Sequence, residues 1–185
     1  MLFRSSIGNL TSAISIDLSY NELNGKVPRS LGTLCKLREI RLSGNKWSPQ
    51  ISEIFKSLSG CVSNGLEILE INDGQLSGQL TAELGQFKNL VILSLSYNSI
   101  SGPIPWFIGN LSSLRSLDLE SNQINGTLPQ SFGQLSKLES LYINSNMLEG
   151  VVSEVHFSNL TGLTLLLASK NRLTLEVSLD WIPPF

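Results

Sequence analysis

Asn98-Ser-Ile-Ser-Gly102-Pro-Ile-Pro105-Trp-Phe-Ile-Gly-Asn110-Leu-Ser-Ser-Leu114 decides how the chain is read, because its pattern returns along the whole sequence. Aligned on the leading asparagine, the column falls at Asn21, Asn45, Gly74, Asn98, Asn122, Asn146 and Asn171, in steps of 24, 29, 24, 24, 24 and 25 residues. Five residues before it stand Ile16, Ile40, Leu69, Leu93, Leu117, Leu141 and Leu166, and three before it Leu18, Leu42, Ile71, Leu95, Leu119, Ile143 and Ala168. Two after it come Leu23, Trp47, Leu76, Ile100, Ile124, Leu148 and Leu173, and six after it Val27, Ile51, Leu80, Ile104, Leu128, Val152 and Val177. Apolar residues two apart mark a short strand with one buried face. Each unit therefore supplies a strand, turns back through an irregular arm and stacks on the next. A single unit cannot bury its own apolar side, so the core exists only between neighbours.

The other fixed positions have backbone reasons. The asparagine amides are expected to turn inward and bond main-chain groups at the bend, forming a ladder through the stack. Gly74 interrupts that ladder, with Asn72 or Asp73 expected to compensate in part. Glycine four residues on, at Gly25, Gly78, Gly102, Gly126 and Gly150, permits a turn with positive φ. Pro28, Pro105 and Pro129 fix an extended or turn-like backbone without donating a hydrogen bond.

Composition removes several function classes. With 13 basic and 15 acidic side chains the formal net charge is −2, against the basic stripe of a nucleic-acid binder. No run approaches the roughly 20 apolar residues that span a bilayer, and Met1-Leu2-Phe3-Arg4-Ser5-Ser6 does not read as a secretory leader. Two cysteines and one histidine fall short of the four ligands of a structural zinc site. A catalytic pairing of cysteine with His156 has no feature that brings the two together. The chain is therefore read as a non-enzyme without metal or cofactor.

The segment from Asn98 to Leu114 resembles the plant-type extracellular leucine-rich repeat, NxLxGxIPxxLGxLxxL, over essentially the whole chain. The resemblance implies an α/β solenoid: a right-handed superhelix of about seven coils, with a parallel concave sheet, a short second sheet and an irregular or 3-10 convex side. Residues 46–65 form a longer irregular coil. A narrower likeness lies in Leu34-Cys35-Lys36-Leu37, Ile51-Ser-Glu-Ile-Phe55, Leu58-Ser-Gly-Cys61, His156-Phe-Ser-Asn-Leu-Thr161 and Asp180-Trp-Ile-Pro-Pro-Phe185. These are similar to plant receptor-like proteins of the ethylene-inducing-xylanase receptor type. That likeness implies a role in pathogen perception on the extracellular side of the plasma membrane, within a longer protein with a membrane span and no kinase.

Cys35 and Cys61 sit in similar phases of successive coils. Stacked strands lie about 4.8 Å apart, inside the Cα separation of a disulfide, so a bridge across the long coil is expected; two separate thiols are the alternative. Sequons at Asn9, Asn110, Asn125 and Asn159, three of them in one phase, place candidate glycans on the outer arm. Together these features favour an oxidising secretory compartment.

Residues between the buried strand positions point onto the concave sheet. There Asp17, Glu70, Asp118 and Glu120 form a rough acidic track, broken by Arg41 and flanked by Tyr20, Tyr97 and Tyr142; Glu39 and Asp73 lie beside it. Aromatic anchors among charges suit peptide, protein or glycan elicitors or a co-receptor kinase; a solvated sheet with incidental charges is the plainer reading. Leu165 and Leu167 are unusually apolar for that face. Residues 1–10 read as the outer arm of a coil whose strand is missing, and 176–185 lead into a further coil. Neither end shows a polar cap, so the chain is expected to be a fragment, a truncated gene product, or one whose ends pair with another molecule, end-to-end self-association included. Other functions on this type of coil are inhibition of microbial cell-wall hydrolases, as in polygalacturonase-inhibiting proteins, ice binding, and the ectodomain of a receptor kinase.

Overall fold

The computed structural model describes residues 5–47 and 50–185. Met1–Arg4, on which the leader reading mostly rests, lie outside the described residues, as do Ser48 and Pro49. Three-residue strands recur once per repeat: β1 (Ser15–Asp17), β3 (Glu39–Arg41), β5 (Ile68–Glu70), β7 (Ile92–Ser94), β9 (Ser116–Asp118), β11 (Ser140–Tyr142) and β13 (Leu165–Leu167). They form one seven-stranded parallel sheet in sequence order. Register follows the repeat, with Ile16, Ile40, Leu69, Leu93, Leu117, Leu141 and Leu166 side by side.

A second set of strands runs along the flank. β6 (Ser77–Gln79), β8 (Ser99–Gly102), β10 (Gln123–Gly126), β12 (Met147–Val152) and β14 (Arg172–Leu175) make a five-stranded sheet. β2 (Asn24–Gly25) pairs with β4 (Lys46–Trp47), and a bridge from Gln50 to Ser77 joins the long coil to this flank. The five glycines of the GxIP segment all have positive φ, from 76° at Gly102 and Gly126 to 91° at Gly25. Pro28, Pro105 and Pro129 stand at the N-caps of 3-10 helices, with φ of −73°, −75° and −74°. Their ring sets the backbone angle without removing a helical donor. The long coil is more regular than the sequence implies: its added residues form a true helix, α1 (Ile51–Ser57), burying Ile51, Ile54 and Phe55. Apolar residues three and four apart give one helical face.

The core is a single column shared between coils. Leu93 and Leu117 are fully buried, and burial of a leucine is worth about 1.5–3 kcal/mol relative to exposure. Leu166, in the same column but on β13, is 40% exposed. One neighbour covers only one side of such a residue.

The asparagine ladder forms as expected. Asn122 accepts from Ile100 N–H at 3.0 Å and donates to the carbonyls of Leu95, Leu119 and Glu120; Asn45, Asn98, Asn146 and Asn171 repeat the arrangement. At Gly74 the compensation comes from an unexpected residue. The Trp47 indole Nε1–H donates to the Leu42 carbonyl at 2.7 Å, where an asparagine at 74 would have donated. A Cβ on Gly74 would stand 3.3 Å from Trp47 Cδ1, so the missing side chain makes room for the indole. Asn72 turns instead toward the open face, where its Oδ1 accepts from Ser96 N–H, and Asp73 is exposed.

Candidate ligand-binding face

The residues flanking each buried strand position emerge on the open face of the seven-stranded sheet. Asp17, Arg41, Glu70, Ser94, Asp118, Tyr142 and Leu167 share one register row. Arg41 lies between acids: its Nη1 is 2.6 Å from Glu39 Oε2 and its Nε 3.2 Å from Glu70 Oε2. Ser15 Oγ donates to the same Glu39 oxygen at 3.0 Å. The Arg41 hydrogen bond holds the Glu39 carboxyl below the usual glutamate range, and the same bond raises the Arg41 guanidinium. Asp17 is also lowered, foremost by the Ser19 backbone N–H, which reaches its Oδ1 at 2.9 Å.

Farther along, Ser94 is buried, with its hydroxyl 2.8 Å from Asn72 Oδ1 and 2.9 Å from Asp118 Oδ2. Asp118 Oδ1 accepts from Glu120 N–H at 3.0 Å, and Tyr97 OH donates to Glu120 Oε1 at 3.3 Å. Coils three, four and five are thus linked across the face by side chains. The sequence pattern gave no sign of these serine and asparagine links, since a hydroxyl at 94 is unremarkable until Asp118 stands beside it.

The rim of the face is set by the residue just before the ladder column. Tyr20, Gly44, Asp73, Tyr97, Ser121, Ser145 and Lys170 all have φ between 49° and 65°. Gly44 has a second role, because a Cβ there would meet the Tyr20 ring at 2.5 Å. The ring lies over that glycine, leaving Tyr20 80% exposed; Tyr97 is 58% exposed. Tyr20 stands three coils from Tyr97, while Tyr142 is half-buried within the row itself. The structure therefore groups Asp17, Glu39, Arg41 and Glu70 at one end and Tyr97, Asp118 and Glu120 in the middle. It does not bring the three tyrosines together.

Cys35 and Cys61 form a disulfide, with Cα atoms 4.9 Å apart, tying the long coil to its predecessor. All four sequon asparagines are exposed, and Asn159 alone among them has its amide engaged, donating to the Gly133 carbonyl at 2.8 Å. His156 is buried by bonds to Ser153 and the Leu128 carbonyl, away from either cysteine. A shallow cleft of about 380 Å³ along the strand-entry edge is lined by Arg38, Glu67, Asn89, Arg115 and Lys137. Two of its cations are already paired, Arg38 with Glu67 and Arg115 with Glu139. Among the described residues no cluster of metal-ligating side chains occurs, and no helix is long and apolar enough to cross a membrane.

A stack of this geometry, with an asparagine ladder and an in-register parallel sheet, defines a leucine-rich-repeat solenoid. The leucine-rich-repeat profiles match residues 12–34, 88–148 and 112–173, more than half of the chain, and the chain belongs to this family. No curated protein matches it. Among solved structures it is similar to the Arabidopsis receptor kinase HAESA, solved in complex with the peptide hormone IDA and the co-receptor SERK1. Identity there is 29% and the TM-score 0.75, over 93% of this chain and 32% of HAESA's. The TDR receptor gives 26% identity and a TM-score of 0.73, over 93% of this chain and 33% of that one. A plant ice-binding protein shares the fold at 23% identity and TM-score 0.72, over 93% of this chain and 61% of that one. The chain spans about a third of the HAESA and TDR receptor chains.

Proposed function

We propose that this chain is the ligand-recognition part of a plant cell-surface receptor ectodomain of the ethylene-inducing-xylanase receptor type, acting in pathogen perception. It stands on the extracellular side, carries N-glycans on its outer arm, and takes a peptide or protein elicitor on the open face of the seven-stranded sheet, with a co-receptor kinase as second partner. The observation that carries this reading is the organisation of that face. Arg41 is held between Glu39 and Glu70, and Tyr97 is held on Glu120, so side chains from different coils form one continuous surface. Preorganised contacts of this kind lower the entropy that ordering adds to binding. Peptide-hormone complexes in receptors of the same fold support it by similarity.

Selection of a displayed random-peptide library against the chain tests the proposal. Enriched peptides should bind the native protein and the flank variant Trp106→Ala alike, and lose binding to Tyr97→Ala and Arg41→Ala. Failure to enrich any peptide, or equal binding by all variants, refutes recognition at this face.

A further inference from the structure

The charges of the open face are spaced at a regular interval. Along the register row, carboxylates occupy every second position: Asp17, Glu70 and Asp118. Arg41 lies between the first two, but it is shared by Glu39 and Glu70 and offsets only one of them. Among the described residues Asp17 and Asp118 have no ion-pair partner, although the Arg41 charge also acts on Asp17. Neither has Glu120 beside Asp118, nor Asp73 on the rim; where their oxygens are bonded, the donors are neutral: Ser19 N–H, Ser94 Oγ, Glu120 N–H and Tyr97 OH. Elsewhere Glu53, Glu67 and Glu139 each have a basic partner. Next to Glu120 in the stack, Asn144 is 9% exposed, and its buried Oδ1 lacks any hydrogen-bond partner. Among the described residues, the face around Asp118, Glu120 and Asn144 is therefore rich in acceptor oxygens that meet no cationic donor.

The interval selects the ligand. Two strand spacings make about 9.6 Å. In the polyproline II conformation three residues advance about 9.3 Å, and every third side chain returns to the same side. A regular β-strand cannot match this row, because its side chains alternate and a three-residue step changes face. Resting on the reading of the open face as a peptide-recognition surface, we infer that it takes an extended cationic peptide with lysine or arginine at every third residue. The basic groups meet Asp17, Glu70 and Asp118 in turn, and the exposed Tyr97 ring packs against the apolar residues between them.

Fluorescence anisotropy with labelled probes decides this. The probes are (Lys-Pro-Pro)4, a peptide with lysine at every second position and the same total charge, and (Glu-Pro-Pro)4. The first should bind at least ~10-fold more tightly than the second, and the third should not bind. Asp118→Asn with Glu120→Gln, near-isosteric on the surface, should weaken the first probe ~10-fold or more, since bonds to charged groups are the strong ones. Glu149→Gln, on the flanking sheet, should leave it unchanged. Equal affinity for both lysine spacings, or an equal effect of Glu149→Gln, reduces the binding to unspecific charge attraction and overturns the inference. Open-face binding by neutral or acidic library peptides, lost in Tyr97→Ala, overturns it while leaving peptide recognition intact. Absence of binding by every peptide overturns both.

Discussion

Exchange of Trp47 and Gly74 for the residues used by the other coils probes the ladder most directly. Trp47→Leu removes the Nε1–H bond to the Leu42 carbonyl, worth about 1 kcal/mol net because Asn45 Nδ2 still donates to that oxygen at 3.1 Å. It also removes part of a side chain that is only 3% exposed, about 2 kcal/mol more. Gly74→Asn alone places a Cβ 3.2 Å from Ile71 Cγ2 and 3.3 Å from Trp47 Cδ1, and overpacking of this kind costs about 2 kcal/mol. If the two residues acted independently, the double variant would lose about 5 kcal/mol, the additive sum of those estimates. The structure predicts a loss of only about 2 kcal/mol, because leucine at 47 opens the space and asparagine at 74 donates to the Leu42 carbonyl, as Asn122 does to Leu95. Urea unfolding of the four proteins, followed by far-UV circular dichroism, yields the coupling. A double variant as unstable as the sum of the singles, within about 0.5 kcal/mol, refutes the assignment of Trp47 as the substitute donor.

The ladder itself is unequal along its length: Asn122→Ala should destabilise by about 3 kcal/mol in urea unfolding, because it strands the buried Ile100 N–H, whereas Asn21→Ala, whose two bonds are exposed and local, should cost under about 1 kcal/mol. Reduction of the Cys35–Cys61 bridge should lower stability by about 3.5 kcal/mol in the chain-entropy picture, given a separation of 26 residues, and a thermal melt with and without reductant reads it. Glu39 has its folded pKa depressed by Arg41, so its contribution is present above the unfolded value of about 4.3 and is lost as pH falls through the lower folded value. Arg41→Met should return Glu39 toward the ordinary glutamate range, which an NMR titration of its side-chain carboxyl follows; an unchanged midpoint would count against the pair.

What the sequence settled is everything that follows from period. The columns at Leu93, Leu95 and Ile100 and the glycine at 102 fix strand, bend and turn by local chemistry repeated at a constant interval, and stacking is the one way to bury such a stripe. The in-register sheet and the ladder descend from that interval; it also made the disulfide an expectation, which the structure then showed. Position in the period is also enough to place Asp17, Glu70 and Asp118 on the open face, because side-chain direction alternates along a strand. Partnership between coils was not legible there. That Gly74 leaves room for the Trp47 indole, that Gly44 seats the Tyr20 ring, and that Ser94 reaches Asp118 depend on residues from different repeats meeting across about 4.8 Å. Residues 22 to 29 apart in the chain become neighbours only when the stack closes, so their contacts belong to the tertiary structure.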